Sequence, residues 1–71
     1  MARVPRVSGP EAVRALERLG FQVVRQRGSH IVMRRAERGC VVPNHRELKL
    51  GTLAGVLRQA GVSTEDFWAA L

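Results

Sequence analysis

The sequence predicts an α+β fold in the order α-β-β-β-α: a three-stranded antiparallel sheet packed on two helices, with a short C-terminal helical turn after the second. Two observations carry this. Apolar residues recur at helical spacing in one early and one late segment, each bounded by residues that start and stop helices. Between them, residues 22–43 change to a strand-like mixture of Val, Ile, Gln and Arg, broken twice by turn signals. The scale follows from length: 71 residues leave room for one domain, so residues 1–71 are expected to act as a single unit.

Each element has its own warrant. Met1–Val7, with Arg3 and Arg6 on either side of Pro5, reads as an extended lead-in. Ser8 can cap a helix, Glu11 stands three residues on as in a capping box, and Pro10 falls in the first turn, where its missing N–H costs little. Ala12, Val13, Leu16 and Leu19 form the apolar stripe, Gly20 ends it, and Phe21 can fold back on the last turn. Gln22–Arg27 and His30–Arg35 read as strands joined by Gly28-Ser29. Ala36-Glu37-Arg38-Gly39 is a second turn, and Cys40-Val41-Val42 a third strand ending at Pro43. Asn44–Lys49 is a polar, basic loop. Leu53, Val56, Leu57 and Ala60 define the second helix, closed by Gly61. Ser63-Thr64-Glu65-Asp66 opens the final turn, from which Phe67 and Leu71 are expected to pack on the core.

Composition narrows function. No apolar run approaches a membrane span or a signal-peptide core, so no membrane partner is expected and the cytoplasm is the default location. A single cysteine, Cys40, excludes a disulfide framework and a multi-cysteine zinc site, and reads as a small strand residue. The formal charge is +6, and eleven of the twelve cations are arginine. Residues 1–49 hold eleven cations against four acids, whereas residues 50–71 hold Arg58 against Glu65 and Asp66. A basic front and a neutral tail suit a polyanion-binding face, with RNA first and an acidic protein second.

Strand parity selects the face. Ile31 and Met33 share one side of their strand with Ser29 and Arg35, and His30, Val32 and Arg34 share the other. With Ile31 and Met33 inward, His30 stands on a free sheet face, with Arg34 along the same strand face at an expected separation of about 6–7 Å. The facing of Arg25 and Arg27 stays open, because Val23 and Val24 are adjacent and both apolar. Lys49 precedes a helix whose first N–H groups favour phosphate. Arg25, Arg27, Ser29, Arg34, His45 and Lys49 are thus candidate RNA contacts, and Gly28 is a turn glycine that positions His30.

Leu19-Gly20-Phe21, Gly28-Ser29-His30, Val42-Pro43-x-His45, Leu50-Gly51-Thr52-Leu53 and Ala60-Gly61-Val62 with Phe67, in this order and spacing, resemble the HicA toxin family over roughly residues 8–70. The resemblance implies a fold similar to double-stranded-RNA-binding domains. It also implies metal-independent cleavage of mRNA with His30 catalytic, and a HicB-type antitoxin as partner. Ile31 stands where many members carry a second histidine.

The chemistry needs little from the protein. RNA carries its own nucleophile, the 2′-OH, so a base to take its proton and cations on the phosphorane suffice, with no cofactor. Histidine suits the base role at neutral pH. The expected products are a 2′,3′-cyclic phosphate and a 5′-OH, with His45 or water as proton donor to the leaving oxygen. The competing readings are a non-catalytic double-stranded-RNA-binding module of the same fold and an adaptor for an acidic protein. Neither needs a histidine at the Gly28-Ser29 turn.

Overall fold

In the computed structural model, which describes residues 6–71, the elements run α1 (Gly9–Arg18), β1 (Gln22–Arg27), β2 (His30–Arg35), β3 (Arg38–Pro43), α2 (Leu50–Ala60) and α3 (Thr64–Ala70). Arg3 and Pro5 of the expected lead-in lie outside the described residues. The three strands form one antiparallel sheet in the order β1-β2-β3, as the sequence predicts.

Both ends of α1 are built as predicted. Glu11 N–H donates to Ser8 Oγ at 3.1 Å, and Ser8 N–H donates to Glu11 Oε1 at 2.9 Å, closing the capping box. The Ser8 backbone N–H first, and then the Ser8 side chain, hold the Glu11 carboxyl below its ordinary pKa. At the other end, Gly20 takes φ +99°, which lets Gly20 N–H reach Glu17 O at 3.0 Å and Phe21 N–H reach Leu16 O at 2.9 Å. This is the Schellman ending that the Gly-Phe pair implies. The buried stripe is Gly9, Ala12, Ala15 and Leu16, so Ala15 replaces the expected Val13 and Leu19, which are only partly covered.

Two boundaries and the packing of one residue differ from expectation. The second turn is only Ala36-Glu37, and β3 begins at Arg38, because Arg35 and Arg38 pair directly across it. The final turn is a seven-residue helix, α3, capped by Ser63 Oγ accepting from Asp66 N–H at 3.1 Å. Leu71 lies just past its end, beyond the reach of the core, and is 44% exposed.

Phe21, Phe67, Leu16, Met33 and Val42 are the largest fully buried side chains. Each is worth about 1.5–3 kcal/mol of burial. They draw on α1, α3 and the inward face of β2 and β3, so the core lies on one side of the sheet. Trp68 packs edge-on against Phe67, with ring centroids 5.4 Å apart. Cys40 is buried in that face, and burial pushes its thiol pKa up to about 11. Among the described residues, no helix is long and apolar enough to cross a membrane.

Candidate nucleic-acid interface

Ladder pairing decides which side chains share the outer face, since residues directly opposite in antiparallel strands project together. Ile31 pairs with Gln26 and Val42, and Met33 with Val23 and Cys40; these rows face the core. The outer face consists of three rows across β1, β2 and β3: Arg27–His30–Pro43, Arg25–Val32–Val41 and Gln22–Arg34–Gly39. His30 and Arg34 are exposed, and so is every residue of β1.

A β-bulge sets the facing of the β1 arginines. Pairing runs regularly as far as Val23 opposite Met33 and resumes at Arg25 opposite Val32, leaving Val24 as the extra residue. Without it, Arg25 would fall opposite Ile31 on the core face. With it, Arg25 and Arg27 join His30. The adjacent valines that left the facing open in the sequence are the bulge itself.

The spacing expected between His30 and Arg34 requires correction. They are four residues apart, so strand rise separates them by about 13 Å; the position about 6–7 Å away belongs to Val32. The cation beside His30 is Arg27, its direct partner across the hairpin, with Cβ atoms about 4.5–5.5 Å apart. Arg34 is exposed at the far end of the same face, in the row with Gln22 and Gly39.

The His30 turn is held from three sides. Gly28 takes φ +56° at the first central position, where a two-residue hairpin turn demands a left-handed residue. Gln26 Nε2 donates to Gly28 O at 3.0 Å. Asn44 N–H donates to Ser29 O at 2.6 Å, and Gly9 N–H donates to His45 O at 2.8 Å, so the turn, the Asn44–His45 backbone and the start of α1 are bonded in series. A Cβ at Gly9 would press on the Pro43 carbonyl oxygen and come within 2.9 Å of Asn44 Cα, so only glycine allows this approach. Sequence alone does not single out Asn44 and Gly9, whose role lies in backbone contacts between distant segments, or Gln26, whose side chain bonds locally to the turn.

His45 and Lys49 are brought together, but beside the His30 row. With Pro43, Glu47, Leu48 and Thr52 they line a cleft of about 270 Å³. Pro43 is the shared wall, being also the β3 partner of His30. Lys49 sits at the start of α2 with no side-chain cap, leaving the first N–H groups of the helix available to an acceptor. The Glu47 carboxylate in the same wall, 3.6 Å from Arg6, offsets part of the positive charge there. The stronger anion surface is therefore the β1–β2 side of the sheet.

Several arginines serve the fold instead. Arg35 Nη1 donates to Leu19 O at 2.6 Å, and its guanidinium lies 4.7 Å from the centre of the Phe21 ring. Arg18 Nη1 donates to Ala70 O at 2.7 Å, and Arg38 lies against Gly61 at the end of α2. Arg35 and Arg18 satisfy carbonyls at helix C-termini, and Arg38 lies beside one, where exposed carbonyls favour cations. Among the described residues, no group of three or more His, Cys, Asp or Glu side chains is placed to hold a metal ion.

These features define a small basic α+β domain whose open sheet face carries a histidine among arginines. A family model described as the HicA toxin of bacterial toxin-antitoxin matches residues 9–62, and the chain belongs to this family. A search of curated proteins finds no match. Membership makes the chain a toxin of the toxin-antitoxin type, a family whose members are in general ribonucleases paired with an antitoxin.

Proposed function

We propose that residues 1–71 act as one HicA-like domain, a cytoplasmic endoribonuclease that cleaves mRNA without metal or cofactor and is neutralised by a HicB-type antitoxin. The observation that carries this reading is the exposed His30 paired directly with Arg27 on the outer face of the sheet.

His30 takes the proton of a ribose 2′-OH through its free ring nitrogen. The 2′-oxygen attacks the adjacent phosphorus, and the bond to the 5′-oxygen breaks. The leaving oxygen collects a proton from water or from His45, giving a 2′,3′-cyclic phosphate and a 5′-OH. Arg27 neutralises charge on the phosphorane, and Arg25 and Arg34 hold neighbouring phosphates. Ser29, within the turn, and Lys49, at the start of α2, contact the RNA further along. Gly28 keeps His30 at the head of β2.

Removing one such acid–base group typically costs about 10²–10⁴-fold. The test is expression of wild type and His30→Ala at equal folded level. Growth arrest with mRNA loss in the wild type alone is the expected outcome. Arrest by both would leave an RNA-binding module with an incidental histidine. Cleavage abolished by EDTA would contradict the metal-free step.

A further inference from the structure

The outer face is graded across its width. The β1 column is Arg27, Arg25 and Gln22; the β2 column is His30, Val32 and Arg34; the β3 column is Pro43, Val41 and Gly39. Within these paired rows the charge lies on the β1 side and the apolar surface on the β3 side. Val41 is 38% exposed, and nothing rises beside it at Gly39. The apolar side is not an open strand edge at this point: Val41 N–H donates to Gln59 Oε1 at 3.3 Å, so a partner strand could not use that amide.

We propose that Val32, Val41 and Pro43 form a seat for unstacked bases of a single-stranded RNA whose phosphates lie on Arg27 and Arg25, with the ribose between them over His30. The row Arg27–His30–Pro43 then matches the phosphate, sugar and base of one nucleotide. The next row, Arg25–Val32–Val41, lies about 6–7 Å further along the strands and takes the following nucleotide. Charge complementarity selects the occupant: the cationic column is continuous with the apolar one, as a nucleic acid requires. Aliphatic side chains offer contact area without donors or acceptors, so the seat orients a base without reading it. A duplex would keep its bases stacked and leave these residues uncovered.

The proposal rests on the ribonuclease reading, and one experiment separates the two. Wild type and Val41→Ser are titrated with a 2′-O-methyl adenosine oligomer of about ten nucleotides and with its fully abasic counterpart. Neither can be cleaved by 2′-oxygen attack, and both carry the same phosphates. Wild type should bind the base-carrying oligomer more tightly. Val41→Ser should weaken that complex on the order of fivefold, as expected for losing one small apolar contact, and leave the abasic complex unchanged. Unchanged abasic binding also reports that the variant is folded. Should Val41→Ser fail to fold, Val41→Phe decides: it must tighten the base-carrying complex alone. Equal effects on both oligomers, or no preference for bases in the wild type, would overturn the seat while leaving phosphate binding intact. No binding of either oligomer would sink the seat and the ribonuclease reading together.

Discussion

Arg27 and His30 stand directly opposite each other across the Gly28-Ser29 turn, on the side of the sheet away from the core. This pairing separates the arginines proposed to meet RNA from those that bond to the protein. Arg27→Ala removes one phosphate contact, so the dependence of log affinity on log salt should flatten by about 0.7 for a single strand, with stability unchanged. Arg35→Ala should do the reverse. It loses the bond to Leu19 O and the contact with Phe21, costing about 1–2 kcal/mol, while the salt slope stays put. Salt-dependent binding and denaturant melts on both variants check this; a flattened slope in Arg35→Ala would redraw the interface.

Gly9→Ala tests the series of bonds from α1 to the Gly28-Ser29 turn. The added methyl meets the backbone of Pro43, Asn44 and His45, none of which can yield as a flexible side chain could. Overpacking of this kind costs about 1–3 kcal/mol. Because Asn44 also carries the bond to Ser29, cleavage should fall by more than stability alone explains when measured where the variant is still folded. Loss of stability with full specific activity would show that the joint holds the fold and not the site.

Much of this was legible in the sequence because local signals agreed with the global fold. Ser8, Glu11, Gly20 and Gly61 mark helix ends through their own chemistry, and the alternation of Ile31 and Met33 fixes the side His30 takes. The bulge at Val24 was not legible. Its signal, two adjacent valines, is equally that of a strand covered on both sides, and only the partner strand tells them apart. The Asn44–Ser29 and Gly9–His45 bonds join segments far apart in the chain through backbone atoms, which leave no mark on residue type beyond an unremarked glycine. Arg18, Arg35 and Arg38 look like the arginines of the outer sheet face until tertiary packing shows each at a helix terminus.

Ala36 holds φ +52° at the first position of the second hairpin turn, the one non-glycine residue with positive φ among those described. An L side chain there costs about 1–2 kcal/mol, and glycine loses about 0.4–1 kcal/mol more chain entropy on folding. Ala36→Gly should therefore stabilise the domain by about 0.5–1 kcal/mol, read as a higher denaturant midpoint with unchanged slope. The turn lies at the opposite end of β2 from His30, so cleavage rates should not move. A lower midpoint would mean that the turn is not under strain.

Cys40 gives a prediction in the alkaline range. Its thiol is raised from an ordinary value of 9.0 to about 11 by burial in the core face of β3. The folded state therefore keeps the proton where the unfolded chain gives it up. Stability from the neutral buried thiol is complete below about pH 9 and is lost as pH climbs through about 11. The pH 8 to 11 stability profile should fall in wild type and fall less in Cys40→Ala, which has no thiol to ionise. Alkylation by iodoacetamide at pH 8 should be slow in the folded protein and accelerate in denaturant, since a buried neutral thiol is neither accessible nor nucleophilic. Fast labelling under native conditions, or parallel alkaline profiles for the two proteins, would place Cys40 outside the closed core.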